Sequence, residues 1–142
     1  MKEPNPHKSH VVVADARPRD YREPNSPDGQ WNWRVHFLSG GAAAVQYARR
    51  RRADLWLINS RLPDISGFEL LSVLRNLPVD APICMVADQY DSGEEKRACA
   101  GGANLYLCKD ERRQIDLFPL LDNLTGSNPT DAEADTEAFV GR

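Results

Sequence analysis

The chain has 142 residues, of which 41% are apolar, and its 18 basic and 21 acidic side chains leave a net charge of −3. A chain of this length makes one domain that can bury roughly two-thirds of its unfolded surface. The acidic balance argues against general attraction to nucleic acid. No run of about 18 apolar residues is long enough to span a membrane, and no apolar signal region follows Met1. We therefore expect a cytoplasmic protein.

The three cysteines are Cys84, Cys99 and Cys108. They lack the spacing of a metal site, and two of them lie in apolar runs, so we expect reduced thiols. The sequence therefore predicts no metal and no other cofactor bound through cysteine, and no other ligand pattern suggests one.

Short apolar runs alternate with segments of helical periodicity along most of the chain. In chain order, the patterns predict a strand at 11–14, a strand at 33–38, a helix at 41–51, a strand at 55–58, a helix at 66–77, a strand at 82–86, a helix at 91–100, a strand at 105–108 and a helix at 115–124. This alternation indicates an α/β protein with a parallel sheet, because parallel strands need crossover connections.

The stretch between the first two predicted strands breaks the alternation. Residues 17–30 contain three prolines, a Pro-Asp-Gly turn and almost no apolar face, and a proline inside a helix costs roughly 3 kcal/mol. We expect a loop with at most one helical turn at 18–22. Trp31 and Trp33 follow, and two roles stay open for them: a lid that folds back over the sheet, or an exposed patch that docks a partner.

Two terminal segments lie outside the predicted domain, which we place at residues 9–124. Residues 1–8 form an N-terminal extension. Residues 125–142 are rich in Gly, Ser, Asn, Pro, Asp and Glu. Such a segment has little to bury, so we expect a disordered acidic tail.

Two segments carry a family pattern. Residues 54–71 read DLWLINSRLPDISGFELL, an apolar run that ends at Asn59 and is followed by a proline and a glycine; residues 101–109 read GGANLYLCK. Together they resemble the receiver domain of response regulators, the CheY-like superfamily, over residues 9–124. The resemblance implies a flavodoxin-like three-layer sandwich whose five-stranded parallel sheet has the order 2-1-3-4-5, here with the first helix short or replaced by a loop.

Receivers accept a phosphoryl group from a kinase on an aspartate, beside a magnesium ion. In the family this aspartate stands at the position of Asn59, and an amide cannot form the acyl phosphate. Ala16 replaces the second residue of the magnesium-binding acidic pair, and Ala87 replaces the hydroxyl that binds the phosphoryl oxygens. Lys109 remains, and so does Tyr106, either as a core-edge aromatic or as a residual switch. The chain therefore resembles a degenerate pseudo-receiver, not an enzyme.

The charges that remain at this site balance without a metal. Asp15 and Lys109 sum to zero, and we hypothesise a metal-free pocket in which they form an ion pair with Asn59 hydrogen-bonded between them. Two alternatives stay open. These residues are solvated relics at strand ends, or Asp64 and Asp88 supply substitute carboxylates, although Asp64 is expected to cap the following helix.

The resemblance implies a module of two-component (phosphorelay) signal transduction that binds a protein independently of phosphorylation. Its partner would be a signalling kinase, an output protein or a second copy in a homodimer. The candidate interaction face comprises Lys96, Arg97, Leu105, Arg112 and Arg113. The alternatives are a receiver that accepts phosphate at a substitute residue, or a regulatory domain that binds a ligand or nucleic acid. Nucleic acid is disfavoured and would use the arginine run 49–52, which is otherwise a solvated helix end.

Overall fold

The computed structural model of this chain describes residues 9–22, 33–77 and 79–125. Within these ranges the strands are Ser9–Ala14 (β1), Tyr21–Arg22 (β2), Trp33–Leu38 (β3), Leu55–Asn59 (β4), Ile83–Ala87 (β5), Leu105–Cys108 (β6) and Ile115–Asp116 (β7). The helices are Gly41–Arg50 (α1), Gly67–Asn76 (α2), Ser92–Ala100 (α3) and Leu117–Thr125 (α4), and Pro18–Asp20 forms a short 3-10 turn. Residues 1–8 and 126–142, the predicted extension and most of the predicted tail, lie outside these ranges.

The five longer strands form one parallel sheet in the order β3-β1-β4-β5-β6. If these strands alone are numbered along the chain, this is the predicted order 2-1-3-4-5. The flavodoxin-like prediction is therefore confirmed, and the predicted strands and helices lie within a few residues of the observed ones.

Both faces of the sheet are covered, which explains the continuous apolar runs in its central strands. Alternate residues point to opposite faces, so Val11, Val13, Leu55 and Leu57 pack beneath α4. The intervening side chains Val12, Ala14, Trp56 and Ile58 pack against α1, α2 and α3. The sheet is thus the middle layer of a three-layer sandwich.

The first connection is where this chain departs from regular alternation. After β1, the described residues 15–22 form only the 3-10 turn and β2. The two residues of β2 pair in parallel with β7, which makes a second, two-stranded sheet. The prediction that 18–22 holds at most one helical turn is confirmed. The predicted start of the last helix at residue 115 is wrong, because Ile115 is extended and pairs with Tyr21.

Trp33 is not part of an exposed patch. It begins β3, is only 8% exposed, and packs in the core beneath α4 with Tyr21. The exposed-patch role predicted for Trp33 is therefore wrong, since its place on the pleat directs the ring toward the core. Trp31 lies outside the described residues.

The helix that Asp64 caps is not the one that was predicted. Its carboxylate accepts hydrogen bonds from the backbone N–H groups of Gly41, at 2.8 Å, and Ala42, at 2.9 Å, so it caps α1 from a distant loop. These N–H donors, with that of Ile65, lower the pKa of Asp64 to about 2. The following helix, α2, is capped instead by Ser66 and Glu69 in a capping box. Asp64 is thereby held away from the site at the strand ends.

Candidate functional site

The predicted pocket residues meet because they follow neighbouring parallel strands. Asp15 comes directly after β1, Asn59 and Ala87 are the last residues of β4 and β5, and Lys109 comes directly after β6. The carboxyl ends of parallel strands meet at one edge of the sheet, which is where open α/β folds place their ligands. We call this group, with Asp20 and Asp88, the strand-end pocket.

The Lys109 ammonium is the centre of the strand-end pocket. Its Nζ lies 3.0 Å from Asp15 Oδ2, 2.7 Å from Asp20 Oδ2 and 2.9 Å from Asp88 Oδ1. The Lys109 side chain is 0% exposed. One buried ammonium therefore pairs with three carboxylates, two from the connection after β1 and one from the connection after β5.

Asn59 presents its amide nitrogen to the same carboxylates. Its Nδ2 donates to Asp15 Oδ2 at 2.9 Å and to Asp88 Oδ1 at 3.0 Å. Its Oδ1 accepts from the backbone N–H of Arg61 at 2.8 Å. The amide is thus fixed with its donor side toward the carboxylates, an arrangement that an aspartate at this position could not adopt, since a carboxylate has no hydrogen to donate.

The hypothesis about the pocket is confirmed in one respect and corrected in two. The ion pair between Asp15 and Lys109 is present. Asn59, however, bridges the two carboxylates of Asp15 and Asp88 and does not lie between Asp15 and Lys109. The charge balance was also incomplete, because Asp88 and the unpredicted Asp20 join the pocket and leave three carboxylates against one ammonium.

In this pocket, hydrogen bonds affect the pKa values of Lys109 and Asp88 more strongly than burial does. Burial acts to lower the pKa of Lys109, but hydrogen bonds from its ammonium to Asp20, Asp88 and Asp15 prevail and raise it. Burial acts to raise the pKa of Asp88, yet its hydrogen bonds with Lys109 and Asn59 prevail and lower it. The ionised forms of both groups are therefore favoured in the folded protein.

The donor set at this edge does not fit the magnesium ion that the receiver fold implies. Asp15 Oδ1 accepts from the backbone N–H of Arg17, and Asp15 Oδ2 accepts from Asn59 and Tyr21 and contacts Lys109. Ala16, at the second acidic position of the family, has no oxygen in its side chain. No three His, Cys, Asp or Glu residues in the described ranges are placed to hold a metal ion. A hard cation prefers several free oxygen ligands, whereas both oxygens of Asp15 are already engaged by N–H donors, the Tyr21 hydroxyl and the Lys109 ammonium.

Tyr21 closes the pocket from the side where a first helix would lie. Its hydroxyl donates to Asp15 Oδ2 at 2.7 Å, and its ring lies 5.6 Å from Lys109 Nζ. Burial, with the charge and the hydrogen bond of Asp15, raises the pKa of Tyr21 well above its ordinary value. The sequence carries no local signal that places Tyr21 and Asp20 at this site, because their positions depend on the 3-10 turn and on the pairing of β2 with β7.

Replacing Tyr21 by phenylalanine is expected to lower the free energy of unfolding by about 2 kcal/mol, because a hydrogen bond to a charged, buried group is lost while the ring remains. Urea denaturation measures the change. Tyr47→Phe is the matched control, since the Tyr47 ring packs edge-on against Trp56 and its hydroxyl has no hydrogen-bond partner in the described residues. Equal effects of the two substitutions would contradict the role assigned to Tyr21.

Tyr106 is bound to the start of α3. Its hydroxyl accepts from the backbone N–H of Asp91 at 3.2 Å and donates to Glu94 at 3.3 Å. Its ring meets that of Tyr90 edge-on. Burial and the charge of Glu94 raise the pKa of Tyr106, although the Asp91 hydrogen bond opposes them. The Tyr106 side chain therefore connects β6 to the start of α3.

The candidate interaction face divides into exposed and engaged residues. Lys96, Arg112 and Arg113 are exposed, and Arg113 has a left-handed backbone with a φ of 62°. The Arg97 guanidinium stacks on the Phe68 ring at 4.3 Å, and Leu105 is half-buried against the core beneath α4.

The fold and the pocket position agree with the family to which the sequence belongs. A family model described as the response regulator receiver domain matches residues 28–117, more than half of the chain. The protein is therefore a member of the response-regulator receiver family. Receivers are the domains through which two-component systems pass a signal.

The curated proteins to which the chain is similar include bacterial transcriptional regulators. The transcriptional regulatory protein KdpE of Mycobacterium tuberculosis is 29% identical over 99 residues, which are 70% of this chain and 43% of KdpE. The cell cycle transcriptional regulator CtrA of Caulobacter vibrioides is 29% identical over 75 residues, 53% of this chain and 32% of CtrA. The chain spans less than half the length of these relatives.

Solved structures show the same fold. A CheY-like receiver domain from Methanospirillum hungatei JF-1 has a TM-score of 0.65 at 15% identity. The match covers 92% of this chain and 98% of the Methanospirillum chain. A response regulator from Burkholderia pseudomallei, solved with a phosphorylated aspartic acid and a calcium ion, has a TM-score of 0.64 at 19% identity. The match covers 95% of this chain and 75% of the Burkholderia chain.

In the described part of the present chain no helix has the length and apolar run that a membrane crossing needs.

Proposed function

We propose that this receiver no longer accepts a phosphoryl group and acts in two-component signalling as a cytoplasmic, phosphorylation-independent protein-interaction module. Its partner would be a signalling kinase, an output protein or a second copy of the chain. The domain we assign to this module is residues 9–124. The observation that supports the proposal best is the Lys109 ammonium, which lies within 3.0 Å of three carboxylates.

Phosphoryl transfer depends on cations that neutralise the charge developing on the phosphoryl oxygens. Here the lysine that would serve this purpose is already paired with Asp15, Asp20 and Asp88. The residue at the acceptor position is Asn59, and its amide nitrogen donates hydrogen bonds to Asp15 and Asp88. An incoming phosphoryl group would meet three negative charges and no free ammonium, so repulsion would oppose its approach.

Intact mass after incubation with acetyl phosphate and magnesium tests this proposal, beside an Asn59→Asp variant and an unrelated receiver with an intact acceptor as the reagent control. We expect no phosphoryl adduct on the wild type and none on Asn59→Asp, because a restored acceptor still lacks a free Lys109 and an acidic residue at Ala16. An adduct on the wild type would overturn the proposal, and Asp15, Asp20 and Asp88 would be mapped first. An adduct on the variant alone would show that the pocket is not closed by its own charges.

A further inference from the structure

A second charged surface lies at the opposite edge of the sheet, where α1 ends. Four consecutive arginines lie here, and all four are exposed: Arg49 and Arg50 end α1, and Arg51 and Arg52 follow it. Arg34, on the edge strand β3, is also exposed. Among the described residues, the ion pairs are those of Lys109 with three aspartates. None of the five arginines has an ion-pair partner within the same residues. We call these five residues the arginine patch.

Ring contacts of two histidines connect the β3 edge of the patch to α1. The rings of His10 and His36 stack, with 2.9 Å between Nδ1 of one and Nε2 of the other. The His36 ring lies 5.3 Å from the ring of Tyr47 in α1. Arg34 lies two residues before His36 on the same face of β3, so it is on the side of the sheet that α1 covers. Burial lowers the pKa of His36, and interactions with His10, Arg34 and Arg51 lower it further.

A cavity of about 490 Å³ with a mixed polar and apolar lining adjoins the patch. Ala48, Trp56 and Val79 form part of its wall, and Arg51 and Arg52 also line it. The apolar part of the wall can contact an apolar side chain, while the two guanidinium groups can pair with acidic neighbours of that side chain. Arginine beside apolar surface is the composition found at the anchoring points of protein interfaces.

Two carboxylates distinguish this surface from a phosphate-binding one. Asp54 and Asp80 line the same cavity as Arg51 and Arg52, so the cavity itself carries as many negative as positive charges. A nucleic-acid backbone presents a phosphate at every nucleotide and would meet both carboxylates. A peptide can place carboxylates over the outer arginines and an uncharged side chain in the cavity. The whole chain, at a net charge of −3, adds no general attraction for a polyanion.

We propose that the arginine patch and the adjoining cavity dock an acidic peptide segment of a partner protein, whose apolar anchor side chain enters the cavity. This site is distinct from the strand-end pocket and from the face that carries Lys96 and Arg112, and it does not depend on whether Asn59 can be phosphorylated. The recognition is by carboxylate–guanidinium pairing at the patch and by burial of the anchor.

Fluorescence anisotropy with a labelled peptide of glutamates around one central leucine tests this proposal on the full chain. We expect saturable binding that weakens with salt, because exposed charge pairs are screened beyond about 10 Å at 0.1 M salt. Replacing the leucine by glycine is expected to weaken binding about tenfold at unchanged peptide charge, since the burial of the anchor is lost. No binding of the leucine peptide at low salt would overturn the proposal.

The variant Arg51→Glu/Arg52→Glu is expected to lose about tenfold or more in affinity for the leucine peptide. Its matched control is Arg19→Glu/Arg61→Glu, which makes the same change of charge at exposed positions on the opposite edge of the sheet and is expected to change affinity by less than about twofold. Equal losses of affinity in the two variants would show that net charge alone drives the binding, and would overturn a specific site at the arginine patch. Tighter binding of a labelled DNA duplex than of the peptide, with loss in the same variant, would overturn the proposal in favour of nucleic acid.

Discussion

Replacing Lys109 by methionine is expected to lower the free energy of unfolding by about 3 kcal/mol at pH 7, because breaking a buried pair leaves uncompensated charge. The methionine keeps most of the buried volume, so the change isolates the ammonium. Three carboxylates would lose a partner that lies within 3.0 Å of each. Asp88, whose side chain is 37% exposed, recovers some solvation and moderates the cost. Urea denaturation followed by circular dichroism measures the change.

Two controls separate the ion-pair network from a general effect of losing a lysine. Lys96→Met removes an exposed lysine and is expected to change stability by no more than about 0.5 kcal/mol. Adding Asp20→Asn to the Lys109→Met variant removes one of the stranded carboxylates and is expected to restore part of the lost stability, which a double-mutant cycle would show. A loss below about 1 kcal/mol in Lys109→Met would contradict a network centred on this ammonium.

The pH dependence of this loss has a defined sign. The folded-state pKa of Asp88 lies below its ordinary value, so its contribution is present above a pH of about 4 and is lost as the pH falls through the folded-state pKa. The pKa of Lys109 is raised, so its contribution is present below a pH of about 10 and is lost as the pH rises through the folded-state pKa. The stability gap between wild type and Lys109→Met should therefore be wide at neutral pH and narrow as the pH falls below about 4, through the folded-state pKa of Asp88.

Replacing Gly67 by alanine is expected to cost about 3 kcal/mol, the upper end of the range for overpacking. A Cβ at this position would overlap the carbonyl oxygen of Asn59 and lie 2.7 Å from the Cα of Ser60. These are backbone atoms, so no side-chain rotation relieves the overlap. The Gly67 N–H also donates to the Ser60 carbonyl at 2.9 Å, which fixes the start of α2 against the end of β4.

Gly93→Ala is the matched control, because it also replaces a glycine in the first turn of a helix. Its new Cβ would approach only the side-chain oxygen of Asp91, at 3.1 Å. We expect its free energy of unfolding to change by less than about 1 kcal/mol, with the helix propensity of alanine offsetting the contact. If Gly67→Ala and Gly93→Ala were equally stable in urea, the close approach of α2 to β4 would be refuted.

Local pattern sufficed to predict the strands and a parallel sheet, while the resemblance to receivers supplied the strand order. Each central strand is covered on both faces and therefore appears in the sequence as a continuous apolar run, such as Leu55–Asn59 with its polar end. The three prolines at 17–30 predicted the loss of a regular helix there, and the described residues 15–22 agree. Because parallel strands place their ends at one edge, the same pattern also brought Asp15, Asn59 and Lys109 together.

The parts that could not be predicted depend on contacts between distant segments. Asp20 reaches Lys109, 89 residues away, only through the 3-10 turn at Pro18–Asp20. Asp64 caps α1, the helix before it, because the α1 start at Gly40 and Gly41 has no side chain to cap itself. Neither position has a local sequence signal, since turn and capping residues of the same type satisfy nearer groups in most proteins.

The strand-end pocket is tested most directly by observing the Lys109 ammonium by proton–nitrogen NMR, before and after adding millimolar magnesium and acetyl phosphate, with Lys109→Arg used for assignment. We expect a slowly exchanging ammonium signal, because Nζ is buried and held by three carboxylates, and no change in that signal with either addition. A saturable shift or loss of the signal would show that a cation or a phosphoryl group enters the strand-end pocket, and it would contradict a pocket that Lys109 closes by itself.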